Sequence, residues 1–155
     1  RSLVERLRDQ LEAGKPIVSV GTSSLRCLES LFYLGASFTV GKTAVVDGAV
    51  EVGQWVAEDP LLNSVNPLKA VTGLIDLMHT NRLTELSGYT QLLLTPFAKL
   101  KLADGLITNF HQPRSTLLLL VAAIVGDDWR RIYDYALEND FRFLSYGDSS
   151  LLWRG

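Results

Sequence analysis

A single cysteine, Cys27, stands in the 155 residues, so no intrachain disulfide is possible and the fold must rest on packing. One cysteine fits a reducing compartment, and the cytoplasm is the expected location. Positive charge is also scarce. Fifteen Lys and Arg against seventeen Asp and Glu leave a net charge of −2, which excludes an overall basic field drawing the chain onto nucleic acid. Any RNA contact must come from local arginines or from sequence outside these residues. The apolar run from Leu117 to Val125 has nine residues, too few to cross a bilayer. No signal-peptide pattern is read, so no membrane partner is expected. No Cys/His cluster offers metal-ligand spacing. The glycines and lysine of a P-loop, and the glycines of a dinucleotide fingerprint, are missing too.

What is present is apolar material for a core: 47% hydrophobic residues against 21% charged, enough for one globular domain over 1–155. Leu3, Val4, Leu7 and Leu11 recur at helical spacing and Gly14 stops the helix. Pro16 opens a short strand, Ile17 to Val20, and Gly21-Thr22-Ser23-Ser24-Leu25-Arg26 starts a second helix expected to end at Gly35. Residues 37–56 alternate loosely, with Asp47-Gly48 as a hairpin turn. Asn66 as cap and Pro67 at the first position start a helix to about Asn81, with His79 read as structural near its end. Lys99 to Leu102 and Phe141 to Leu144 read as strands, and Asp127 or Asp128 caps a helix between them. Strands alternating with helices indicate an α/β architecture with ligand groups at the strand ends. The chain opens in a helix with no leading strand and closes on an apolar tail, Leu151 to Gly155. It is therefore expected to be a portion of a larger domain.

Three loops follow strands in this reading, after Val20, Ile107 and Leu144. Their convergence on one site is the expectation that carries most weight. Gly21 to Ser24, between strand and helix, aims backbone N–H groups and a helix dipole at an anion; an ordinary turn capped by Ser23 or Ser24 is the competing reading. Arg26 is disfavoured by the helix dipole where it stands, which points to pairing with a carboxylate or phosphate. The stretch Leu106 to Thr116 holds Asn109, His111 and Arg114, then Ser115 and Thr116 at the start of the apolar helix. Polar groups between two buried elements are costly to desolvate and usually bind something, although Ser115 also serves as a plain N-cap.

Taken together, Gly21 to Arg26 with Glu29-Ser30, Thr108 to Thr116, and Arg142 to Asp148 resemble the S-adenosylmethionine:tRNA ribosyltransferase-isomerases of queuosine biosynthesis. Gly88 to Pro96 and Asp104-Gly105 match the family's intervening stretch. The first motif of the family usually reads Gly-Thr-Thr-Ser-Val-Arg, so Ser23 and Leu25 are conservative departures. Phe97 stands where a glycine generally follows the proline.

The resemblance implies an incomplete, barrel-like α/β main domain without its N-terminal half and without the family's small β-barrel domain. It also implies the reaction. The ribosyl part of S-adenosylmethionine, a substrate and not a cofactor, is transferred to a 7-aminomethyl-7-deazaguanine at the tRNA wobble position. Rearrangement to an epoxycyclopentane gives epoxyqueuosine, with adenine and methionine released. Partners on this reading are tRNA, the donor and the missing half of the same protein, with no cofactor or metal. Such chemistry needs a base, help for the departing adenine and a clamp on the donor's amino acid end. His111 is the candidate for proton transfer, with a structural hydrogen-bonder as its alternative. Asp148 is the second catalytic candidate, for the sulfonium, an amino group or the adenine edge; capping the next turn is its alternative. Arg26 with Gly21, Thr22, Ser23 and Ser24 suits a carboxylate or phosphate. Arg114, Ser115 and Thr116 suit a tRNA phosphate, and Asn109, Tyr146 and Gly147 complete the substrate-binding set. Two other readings stand beside this one: a non-catalytic nucleotide- or RNA-binding α/β module using the same loops, and a structural piece whose apolar helix packs on a partner. The 155 residues alone are expected to show little or no turnover.

Overall fold

The computed structural model describes residues 1–42, 49–112 and 114–155, and it is α/β. The hairpin turn expected at Asp47-Gly48 lies outside the described residues. The chain divides into two compact units, residues 1–16 with 26–93 and residues 17–25 with 94–155.

In the first unit, helix α1 (Ser2–Glu12) packs against α4 (Pro67–Thr80). Val4 and Leu7 of α1 are buried, as are Ala70, Val71, Leu74, Leu77 and Met78 of α4. The start of α4 forms as its sequence dictates: the Asn66 side chain accepts from the Leu68 N–H at 2.9 Å and from Lys69 at 3.4 Å, with Pro67 first in the helix. Asp59 does the same for the single turn of α3 (Pro60–Asn63). Strand β2 (Ala49–Val52) pairs in parallel with β3 (Ser87–Thr90).

Helix α2 (Thr22–Thr39) departs from expectation by running through Gly35. The turn that ends it has Gly41 at φ +75°, where the Gly41 and Lys42 N–H groups reach back to Phe38 and Ser37. Gly35 is a packing residue: a Cβ there would collide with the Ala70 carbonyl oxygen of α4. Gly73 answers it from the other helix, facing the Thr39 hydroxyl and the Gly35 carbonyl. Gly35→Val is expected to destabilise by about 1–3 kcal/mol or more, because backbone cannot yield as a side chain can. Gly53→Ala, where a Cβ meets open space, should stay within about 0.5 kcal/mol. Urea midpoints of the two variants check the contrast, and equal midpoints would contradict it.

The second unit is built on a three-stranded sheet in the order β1 (Val18–Val20), β4 (Gly105–Asn109), β5 (Ser149–Trp153). β1 runs parallel to β4 and β5 antiparallel to it. Leu106, at the centre, is fully buried, with Leu152 beside it. α5 (Thr116–Val125) packs against β5 and against α6 (Asp128–Glu138), burying Leu120, Val121, Ala122 and Ile124. Asp104 closes one end of the sheet. Its carboxylate accepts from the Ile17 N–H at 2.9 Å and from the Arg154 guanidinium at 2.7 Å.

Two expected strands do not form. Residues 99–102 do bury Leu100 and Leu102, but they are irregular; alternation reports which side chains go inside, not that a ladder forms. Phe141 to Phe143 is irregular, and the chain then turns at Ser145-Tyr146, closed by hydrogen bonds from Gly147 N–H to Leu144 and from Asp148 N–H to Arg142. The strand lies instead in the apolar tail, which pairs with β4. Among the described residues no helix is long and apolar enough to cross a membrane.

Candidate functional site

The second unit brings Gly21, Asn109, Gly147 and the Asp148 backbone to one end of its sheet, where β1 and β4 finish and antiparallel β5 begins. The Gly21 N–H extends the β1–β4 pairing by donating to the Ile107 carbonyl at 2.8 Å. Gly21 has φ +89°, which turns the chain directly into α2 at Thr22. Its own carbonyl receives the Leu25 N–H. Thr22 is half-buried while Ser23 and Ser24 are exposed, at a helix start whose first amides have no partner within the helix. Arg26 is exposed and falls in the first unit.

β4 delivers the second group. Thr108 is buried, and its hydroxyl lies 3.1 Å from Nε2 of His111. The His111 backbone N–H donates to the Tyr133 hydroxyl of α6 at 3.0 Å, and Ser150 of β5 donates to the Thr108 carbonyl. His111 is therefore held from three elements through two neighbours. Burial pushes its pKa below the ordinary value, which favours the neutral imidazole near pH 7.

Asn109 joins the second loop to the third. Its amide nitrogen lies 3.3 Å from the Gly147 carbonyl, 3.4 Å from the Asp148 carbonyl and 3.2 Å from the Ser149 hydroxyl. The Phe110 carbonyl accepts from the Leu144 N–H at 2.9 Å. Beneath this seam the Phe110 ring packs on Tyr133, Phe141 and Phe143 at centroid distances of 5.4–5.5 Å, two of the contacts edge-to-face. The loop expected to follow a strand in fact precedes one. It still reaches this corner, because β5 is antiparallel and its first residue, Ser149, lies opposite Asn109.

Asp148 spends its carboxylate on its own loop: one oxygen accepts from the Arg142 N–H at 2.8 Å, the other lies 3.4 Å from the Arg142 guanidinium. The backbone N–H first, then the guanidinium, hold its pKa below the ordinary value. A depressed carboxyl contributes above its unfolded value of about 3.9 and loses that contribution as pH falls through the lower folded value. Asp148→Asn is expected to speed hydrogen exchange at the Arg142 amide and to remove that acid-side dependence. An unchanged exchange rate would contradict the loop-closing role. Gly147 is packed too tightly for a side chain, since a Cβ would meet the Arg142 carbonyl. Tyr146 projects at 98% exposure.

Arg114 is exposed and holds a left-handed backbone, φ +64°. Ser115 occupies the N-cap position of α5, as expected, but its hydroxyl makes no capping bond and is buried without a partner among the described residues. Thr116 follows it, exposed, as the first helical residue. The sequence reading missed Thr108 as a support for His111, although it stood inside the motif. It also missed Tyr133, whose helical spacing marks it only as core and carries no signal of a partner 22 residues away.

Comparison with known proteins gives the family. A family model described as a queuosine biosynthesis protein matches residues 1–152. An S-adenosylmethionine:tRNA ribosyltransferase-isomerase from Phenylobacterium zucineum is 37% identical over 151 residues, covering 97% of this chain and 30% of that protein. Its counterpart from Cupriavidus pinatubonensis is 33% identical over 98% of this chain and 31% of its own length. A crystal structure of S-adenosylmethionine tRNA ribosyltransferase from Thermotoga maritima superposes with a TM-score of 0.59 at 31% identity, over 97% of this chain and 37% of that one. The chain thus spans about 30% of the length of the curated relatives it matches.

Proposed function

The chain belongs to the queuosine biosynthesis protein family, and on that premise we propose that it supplies part of the active site of an S-adenosylmethionine:tRNA ribosyltransferase-isomerase. The reaction is transfer of the donor's ribosyl group to 7-aminomethyl-7-deazaguanine at the tRNA wobble position, with isomerisation to epoxyqueuosine and loss of adenine and methionine. The observation that carries this reading is the Asn109 amide, which ties the second motif loop to the third where the Gly21 turn also ends.

His111 is the base for the proton on the carbon beside the sulfonium. When Nε2 carries its hydrogen toward Thr108, Nδ1 holds the lone pair that takes this proton. The carbon left electron-rich then attacks the sugar as adenine departs. Asp148 places negative charge near the cationic sulfur. The Gly21 to Ser24 corner clamps the donor's carboxylate, and Arg114, Ser115 and Thr116 take a tRNA phosphate. Asn109, Tyr146 and Gly147 line the substrate.

The test is mass spectrometry of queuosine-deficient tRNA incubated with S-adenosylmethionine and a full-length protein carrying this chain. The expected result is a mass gain on the wobble base with adenine and methionine released. Unmodified tRNA with no free adenine would contradict the proposal, and nucleotide binding without turnover would favour a non-catalytic module.

A further inference from the structure

Tyr146 holds its ring 98% exposed on a loop whose backbone is tied down. The Gly147 N–H donates to Leu144 and the Asp148 N–H to Arg142, both at 2.8 Å, and the Leu144 N–H donates to Phe110 at 2.9 Å. The Asp148 carboxylate accepts from the Arg142 N–H, and the Asn109 amide meets the Gly147 carbonyl at 3.3 Å. Leu144 is left at φ +69°, a backbone state that non-glycine residues seldom adopt and that surroundings must impose. Apolar company is within reach of this loop, because Phe141 and Phe143 pack on Phe110 at 5.4 and 5.5 Å. Tyr146 does not join them. Among the described residues its side chain has no ring contact and no hydrogen bond.

A firmly held ring with nothing against either face is suited to a flat partner. Small-molecule sites are concave and bury most of their ligand. A side chain standing this far out lines no such hollow, so its partner is a macromolecule that comes to it. Single-stranded RNA loops offer splayed bases whose faces stack on aromatic side chains. With a net charge of −2, these residues draw RNA by no general field, which shifts the weight to contacts of that kind. We propose that the Tyr146 ring stacks on a base of the tRNA anticodon loop that flanks the wobble nucleoside, one residue from the Asn109–Gly147 seam. The inference rests on the reading of tRNA as substrate, and goes beyond it by assigning this ring to the RNA and not to the donor.

Binding of queuosine-deficient tRNA to a full-length protein carrying this chain tests it, measured without S-adenosylmethionine so that no turnover is needed. Tyr146→Ala is expected to raise Kd by roughly 5–150-fold, the loss usual for one stacked base. Tyr146→Phe, which keeps the ring, should bind within about twofold of the unaltered protein. The slope of log Kd against log salt should not change, because no phosphate contact is removed. Phe97→Ala is the control. That ring is 95% exposed, but its neighbours Pro96 and Ala98 line a cavity with Arg154, at the Asp104 end of the sheet. 2-Aminopurine placed on either side of the wobble nucleoside gives a second readout. One of the two probes should change fluorescence on binding the unaltered protein and Tyr146→Phe, but not at saturation with Tyr146→Ala. Unchanged affinity and probe response in Tyr146→Ala would overturn the proposal. So would a loss in Tyr146→Phe as large as in Tyr146→Ala, which would assign the effect to the hydroxyl, and so would an equal loss in Phe97→Ala. Normal turnover alongside unchanged binding by Tyr146→Ala defeats the platform alone; tyrosine-dependent binding without turnover defeats the reaction alone.

Discussion

Replacing His111 by alanine in a full-length protein carrying this chain is expected to lower kcat by roughly 10²–10⁴-fold, the usual range for losing a positioned general base. Donor binding should change little, because the proposed clamp is the Gly21 to Ser24 corner. The same residue sets a pH signature. Desolvation lowers its pKa below 6.5, so the basic form persists at neutral pH and rate falls only on the acid side. Stability follows the same sign. The unfolded chain binds more protons between the lowered folded value and the unfolded one, so stability rises with pH across that window and is flat above it. Thr108→Val removes the hydroxyl 3.1 Å from Nε2 while keeping the shape, and should move the acid limb of the kcat profile. A profile unmoved by Thr108→Val, with full turnover in His111→Ala, would reduce both residues to structural hydrogen-bonders.

Phe110→Ala is the substitution expected to cost most stability, about 3–5 kcal/mol, as for large buried aromatics generally. The ring is 4% exposed and in contact with three others. Its loss leaves a cavity beneath the loop that carries Leu144 to Asp148, so the seam with Asn109 should loosen first. Thermal unfolding should show a Tm lower by on the order of 10 °C. Leu137→Ala, at a 64% exposed position on α6, should stay within about 0.5 kcal/mol. Similar melting of the two variants would mean that the ring cluster does not hold the loops.

The parts of this fold that were legible in the sequence are those written in local chemistry. Asn66-Pro67 announces α4 because cap and first-turn geometry involve only neighbouring residues. Gly14 marks the end of α1 for the same reason, at φ +61°. The end of α4 near Asn81 was legible although Arg82, at φ +53°, takes the left-handed position there; α6 hides its end, because Asp140, at φ +57°, stands where a glycine would have advertised it. Gly35 misleads in the opposite sense: its missing side chain serves a helix that arrives more than thirty residues later in the chain. Strand pairing is the least local feature. Residues 149–153 become β5 because β4 offers them an edge, while Phe141 to Leu144, richer in aromatics, turn to pack on Phe110.

The site shows the same division. Asn109, His111 and Asp148 stand out as polar groups in recognisable loops. Tyr133 does not, since its hydroxyl matters only once α6 has been laid against the His111 loop. Asp148 was visible as a charge, but its tie to the Arg142 N–H depends on a turn that local propensity assigns to a strand.

The central claim is that the ribosyl group, and not the methyl group, leaves the donor for tRNA. Its most direct test uses a full-length protein carrying this chain, queuosine-deficient tRNA and S-adenosylmethionine labelled separately in the ribose carbons and in the methyl carbon. The account predicts ribose label in the wobble nucleoside and methyl label only in free methionine. Methyl label in the tRNA, or ribose label that stays entirely in small molecules, would contradict it.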